Sequence, residues 1–127
     1  MNFHNGEIII NKENFFKGYT FEMFKKTPFF DGQEESKIIY LKDKCLIGSN
    51  KYLVSFLFEN NYLHIISLLC VNIDIPFEEE VKRKELHDGI LHKLGLEEYA
   101  VFDWGEIKST YDPKGNVSHI HIMYKIS

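Results

Sequence analysis

The sequence predicts an α+β domain: an antiparallel β-sheet of about five strands packed on one long helix, with a short helix near the amino terminus. Three stretches carry this. Lys51 to Val71 (KYLVSFLFENNYLHIISLLCV) holds two apolar runs rich in β-branched and aromatic residues around Glu59-Asn60-Asn61-Tyr62, and asparagine tolerates the positive φ of a tight hairpin turn. Phe77 to Leu94 has helical periodicity and helix-end signals. Two alternating segments follow, about Trp104–Tyr111 and Val117–Ile126. The 127 residues suit one domain, which buries roughly two-thirds of its unfolded surface.

In chain order, Asn5-Gly6 between Phe3-His4 and Glu7–Ile10 is a two-residue hairpin signal, so a short first strand is expected to turn there into Glu7–Ile10. Asn11 to Tyr19 reads as irregular, with Phe15 and Phe16 under the core. Thr20 caps a short helix from Phe21 to about Lys26: Phe21 and Phe24 share a face, Glu22 lies in the first turn, and Pro28 stops it. Lys37 to Lys42 (KIIYLK) reads as a strand, and a loop through Gly48-Ser49-Asn50 leads into the central hairpin.

A turn at Asn60-Asn61 sets Glu59 opposite Tyr62, Leu57 opposite His64, Ser55 opposite Ile66 and Leu53 opposite Leu68. The other face then carries Tyr52, Val54, Phe56, Phe58, Leu63, Ile65 and Leu69 and must be covered. In the long helix, Pro76 stands near the start, Glu78-Glu79-Glu80 in the first turn, Lys93 near the end and Gly95 as the stop. Arg83, Leu86, His87, Ile90 and Leu94, with Leu91 beside them, form the stripe expected on the sheet. Asp112-Pro113-Lys114-Gly115 makes a turn between the last two strands, with Gly115 free to take positive φ. Ile107, Ser109, Tyr111, Ile120, Ile122, Tyr124 and Ile126 share the helix side. Trp104, Glu106, Lys108, Thr110, His119, His121, Met123 and Lys125 share the other.

Composition narrows the function classes. The formal net charge is −4, and Arg83 is the sole arginine. Nucleic-acid readers use arginine forks and basic faces that displace counterions, so a nucleic-acid partner is not expected; a basic protein partner suits the net negative surface better. No apolar run approaches the roughly 20 residues of a membrane span, and the first residues lack a signal-peptide pattern, so a cytoplasmic chain is expected. Cys45 and Cys70, without CxxC spacing, read as small buried hydrophobes.

Few residues point to catalysis. His119 and His121, two apart on one strand, project the same way, and His64 or Glu106 would be a third metal ligand; solvent-facing histidines on an open sheet face explain them more simply. The same histidines, with Lys125, define the alternative of a small metal-dependent or acid–base hydrolase. No Gly-rich phosphate loop, GxSxG elbow or HExxH run is present, and no cofactor is expected. His87 reads as a core histidine bonded to a backbone carbonyl, Ser67 or Ser109. Trp104 is either a partner anchor, as tryptophan often is at interfaces, or a packing residue.

Gly18-Tyr19-Thr20-Phe21 with Phe24-Lys25, Lys37-Ile38-Ile39-Tyr40-Leu41, Ser67-Leu68, and Trp104-Gly105 through Ser109-x-Tyr111-Asp112 to Ser118-x-Ile120 and Tyr124 resemble a group of small, lysine- and isoleucine-rich bacterial proteins. These are the immunity proteins of contact-dependent growth inhibition systems, encoded near polymorphic toxins. The resemblance covers nearly the whole chain through structural motifs. It implies a protein without catalytic activity that binds one cognate toxin domain, often a nuclease, and blocks it. It carries no binding residues across. The partner-contacting set expected from the faces is Glu59, Tyr62, His64, Trp104, Glu106, His119 and His121, with Glu78, Glu79 and Glu80 as an acidic second patch.

Overall fold

A computed structural model describes residues 4–126. The strands are β1 (Ile8–Ile10), β2 (Glu13–Phe15), β3 (Ile39–Tyr40), β4 (Cys45–Ile47), β5 (Asn50–Glu59), β6 (Tyr62–Cys70), β7 (Tyr99–Phe102), β8 (Gly105–Asp112) and β9 (Val117–Tyr124). The helices are α1 (Phe21–Phe24) and α2 (Val81–Lys93), the second preceded by a 3-10 turn at Phe77–Glu79. β1 and β2 pair by themselves; the other seven strands form one antiparallel sheet in the order β3-β5-β6-β9-β8-β7, with β4 also pairing β5. The fold is α+β, as expected, but the sheet is larger than five strands and a second small sheet accompanies it.

The extra strands come from short segments without strong periodicity. KIIYLK supplies only Ile39–Tyr40, while Cys45–Ile47 and Tyr99–Phe102 each add an edge strand. The amino-terminal hairpin turns at Asn11-Lys12, both at positive φ (49° and 73°), inside the stretch expected to be irregular. Gly6 does take the left-handed conformation (φ 72°), but the strand expected before it begins in Phe3, which lies outside the described residues. In the last turn it is Asn116, at φ 49°, that takes the positive angle expected of Gly115. Thr20 caps α1 as expected, its hydroxyl accepting the Met23 N–H at 3.1 Å.

The central hairpin turns at Asn60-Asn61 (φ 51° and 73°) as expected, and Glu59 faces Tyr62. The register beyond it differs. Phe58 pairs Leu63, but Leu57 pairs Ile65, so His64 is an unopposed residue in a β-bulge. One inserted residue moves all later side chains of β6 to the opposite face. Ile66, Leu68 and Cys70 are therefore in the core, and Ile65 and Leu69, expected there, stand on the other side.

The inner face joins Tyr52, Val54, Phe56, Phe58, Leu63, Ile66 and Leu68 to Ile107, Ile120, Ile122 and Tyr124, all buried. Aromatic rings from the amino-terminal segment cover the β5 end: Phe15 and Phe24 lie 4.9 and 5.5 Å from Phe56, and Phe21 lies 5.3 Å from Phe58. The expected helix-side alternation of β8 and β9 holds, with α2 packed across both strands and β6. Cys45 and Cys70 are buried free thiols whose pKa burial raises.

α2 also repairs the sheet. The β6–β9 ladder runs only from Ile65↔Met123 to Leu68↔Ile120. Beyond it the backbone groups of the two strands bond to helix side chains. The Arg83 guanidinium donates to the Cys70 carbonyl, the Cys70 N–H donates to His87 Nε2 at 3.0 Å, and the Ser118 N–H donates to Glu80 at 3.0 Å. Glu80 and Arg83 pair at 3.0 Å, and Glu80, Arg83, His87 and Ser118 are all buried. An accepting Nε2 makes His87 a neutral imidazole with its proton on Nδ1, which has no partner, and burial lowers its pKa to about 4. His87 is thus the core histidine the sequence suggests, bonded to a backbone amide.

Trp104 falls in the β7–β8 turn, before the strand that starts at Gly105, so the alternation of β8 does not reach it. It is 5% exposed, stacked on Phe102 with centroids 5.2 Å apart, and lies over Gly6, where a Cβ would come within 2.6 Å of the indole. The Tyr124 hydroxyl donates to the Gly6 carbonyl at 2.7 Å. The indole is a packing residue, not an exposed anchor.

Truncating a buried ion pair on one side strands the other charge and typically costs about 3–5 kcal/mol. Glu80→Ala is expected to destabilise the protein by that amount in urea denaturation. Glu79→Ala, which removes an exposed partner of Lys82, is expected to leave the midpoint unchanged.

Candidate functional site

The candidate site is the outer face of the main sheet, the side away from α1 and α2. β5 and β6 place Leu53, Leu57, Ile65, Ser67 and Leu69 there; β9 adds His119, His121 and Met123; β8 adds Glu106 and Lys108; β7 adds Tyr99 and Val101. None of these is buried, and Leu53, Tyr99 and Val101 are 41%, 58% and 65% exposed. An antiparallel sheet can leave one face in water, but such a face is ordinarily polar. This one is largely apolar along β5, β6 and the β7 edge, and changes to imidazoles, lysine and glutamate along β8 and β9.

At the hairpin end, Glu59, His64 and Glu106 line one cleft of about 390 Å³ with Val101, Gly105 and Met123. The bulge aims His64 at the end of the β6–β9 ladder, where its Nδ1–H donates to the Tyr124 carbonyl at 3.2 Å. Glu106 accepts from the Tyr99 hydroxyl at 2.5 Å and lies 4.0 Å from Lys108. Tyr62, 46% exposed, is at the same end, facing Glu59 across the turn.

His119 and His121 stand toward the other end of β9, their ring centroids 5.1 Å apart. Ser67 Oγ and His121 Nδ1 are 2.8 Å apart across the β6–β9 pair. Burial lowers the pKa of His121 to about 4, helped by His119 and Lys108. Burial also lowers His119, against a smaller upward pull from Glu80 reaching it where β6 and β9 part.

Of the ten residues expected to contact a partner, the structure gathers Glu59, His64 and Glu106, with Tyr62 nearby, and sets His119 and His121 on the same face. Trp104 is buried elsewhere. The triple glutamate is split: Glu78 is exposed, Glu79 pairs with Lys82 at 2.6 Å, and Glu80 is in the core, so the acidic patch shrinks to its first two members. His64, His119 and His121 do not form a common set of metal ligands. Among the described residues, His92, Glu97 and Glu98 are the group whose donor atoms lie within 4.8 Å of one another. Gly95 (φ 81°) turns the chain after α2 and brings them together in an exposed corner.

The bulge turns Ile65 and Leu69 outward, and the four-residue apolar run of β7 is too short to show which of its side chains join Tyr99 and Val101 on this face. Among the described residues, no helix is long and apolar enough to cross a membrane. No protein-family model matches the chain, and no curated protein or solved structure matches it significantly. The fold and face define an α+β domain with one uncovered, half-apolar sheet surface.

Unfolded imidazoles bind a proton near 6.5, whereas His87 and His121 in the fold bind one only near 4. The unfolded chain therefore holds more protons in that window, and stability rises with pH across it. Stability is expected to be full above about pH 6.5 and to fall toward pH 4, His87 alone accounting for roughly 3 kcal/mol. Denaturation midpoints at pH 7.5, 5.5 and 4.5 check this, and His87→Gln, which keeps an acceptor for the Cys70 amide, should flatten the slope.

Proposed function

We propose that this chain is an immunity protein that binds one cognate bacterial toxin domain of the contact-dependent inhibition type, in a one-to-one complex, and neutralises it without performing a reaction. The observation that carries the reading is the uncovered outer face, where Leu53, Leu57, Ile65 and Leu69 stand beside Met123 and the Glu59–His64–Glu106 cleft. Apolar area rimmed by charged groups is the make-up of a protein-binding surface. The resemblance of the sequence to immunity proteins points the same way.

The charge distribution favours a basic partner such as a nuclease domain. The net charge is −4, and Glu59 and Glu106 outnumber the single Lys125 around the cleft. Complementary potentials of this kind raise association rates and reject wrong partners. The sole arginine is locked between Glu80 and the Cys70 carbonyl, so no guanidinium fork is offered to phosphates or bases.

Co-expression with the toxin encoded in the adjacent reading frame tests the proposal. The two chains are expected to co-purify in equal amounts and growth to be restored. Leu57→Glu and Ile65→Lys are expected to weaken binding by about a hundredfold or more, as loss of an interface hot spot does, with the melting temperature little changed. A chain that neither binds the toxin nor restores growth overturns the reading.

A further inference from the structure

We propose that β7 is a docking edge, and that it takes an extended, basic-flanked segment of a partner protein as an eighth strand of the main sheet. The inference rests on the reading of the chain as a protein-binding module and specifies where and how it grips.

Register decides which backbone groups of β7 are free. The Ser109 N–H donates to the Glu98 carbonyl at 2.8 Å. Hydrogen-bonded and non-bonded pairs alternate in an antiparallel ladder, so Ala100↔Ile107 and Phe102↔Gly105 are the bonded pairs that follow. Tyr99 and Val101 fall between them, opposite Lys108 and Glu106, and their N–H and C=O groups point off the sheet. A strand laid along this edge makes four backbone bonds to two residues. Their side chains are 58% and 65% exposed on the outer face, so the added strand also extends the apolar surface.

The two edges of the sheet differ. The far edge is broken, because two-residue β3 and three-residue β4 share the flank of β5. An edge interrupted in this way resists strand addition. β7 is a clean run of Tyr-Ala-Val-Phe with neither lysine nor proline, the residues that ordinarily blunt an edge.

Charge selects the occupant. Glu97 and Glu98 precede β7, Asp103 follows it, and Glu106 beside Val101 is set against Lys108 beside Tyr99, so the excess at the strand ends is acidic. Two copies paired antiparallel with Tyr99 against Val101 would set Glu97 against Asp103 at both ends, and opposed like charges destabilise a strand pair. A segment with lysine or arginine at those ends meets opposite charge instead. Strand addition is an established mode of peptide capture, in which backbone bonds give affinity and flanking side chains give selectivity.

The test uses the full chain and two synthetic peptides of alternating threonine and valine, one flanked by lysines and one by glutamates. The lysine peptide is expected to shift and protect the Tyr99 and Val101 amides in nuclear magnetic resonance, and the glutamate peptide to bind at least tenfold more weakly. Val101→Pro removes an outward N–H that β8 does not use, and should abolish binding. Should that variant fail to fold, Glu97→Lys/Asp103→Lys is expected to reverse the preference between the peptides. Equal binding of both peptides, shifts confined to other residues, or a self-dimer dissolved by Val101→Pro overturns the proposal. If these occur while the toxin is still neutralised on co-expression, the edge assignment alone fails; loss of neutralisation as well removes the reading beneath it.

Discussion

The structure depends on a seam. β3 to β6 and β7 to β9 are two antiparallel groups that meet only where β6 pairs β9, over the short ladder from Ile65 to Leu68. Past Leu68 the backbone amides and carbonyls of the two strands would be buried without partners, at a cost of about 1–3 kcal/mol each. Glu80, Arg83 and His87 remove that cost by reaching down from α2 to the Cys70 and Ser118 backbone. The helix that crosses from one group to the other thus also joins them, and its polar residues specify where it lies. An all-leucine stripe would bury as much area but leave those backbone groups unpaired.

The second constraint is the bulge at His64. It changes the parity of β6, sending Ile66, Leu68 and Cys70 inward and Ile65 and Leu69 outward. Without it, Ile66 and Leu68 would take the outward places of Ile65 and Leu69, and His64 would stand opposite Leu57 in the middle of a regular ladder. The same residue bonds the Tyr124 carbonyl and shapes the cleft that holds Glu59 and Glu106. One inserted residue therefore selects which apolar side chains of β6 face outward and makes the polar corner beside them.

Much of the fold could be read from the sequence, because its main segments carry strong local signals. Asn60-Asn61 marks its turn through the φ angles it tolerates, Thr20 caps its helix, and Ile107, Ile120, Ile122 and Tyr124 alternate as a one-sided strand pair must. The remainder depends on contacts that local patterns do not encode. The bulge has no sequence signature, since a plain ladder would also accept His64. Trp104 alternates with Glu106 on paper, but it sits in a turn, where the period of the strand does not apply. Glu80 looks like its two neighbours; only the splayed strand ends beneath it make it a core residue. The alternation of β8 and β9 puts Glu106, His119 and His121 on one face, whereas the apolar half of that face, from β5, β6 and β7, depends on the bulge and on a strand too short to show a period.

The packing around the indole has a consequence for watching the molecule assemble. The Gly6 carbonyl and the Tyr124 hydroxyl that meet beside Trp104 are separated by 118 residues. Closing so long a span costs chain entropy, which the packing of the sheet and the rings around the clasp offsets. The chain has a single tryptophan, so its emission reports on that one junction of head and tail. Fluorescence therefore follows the clasp and the amide circular dichroism follows the sheet, so recording both shows whether the two form together.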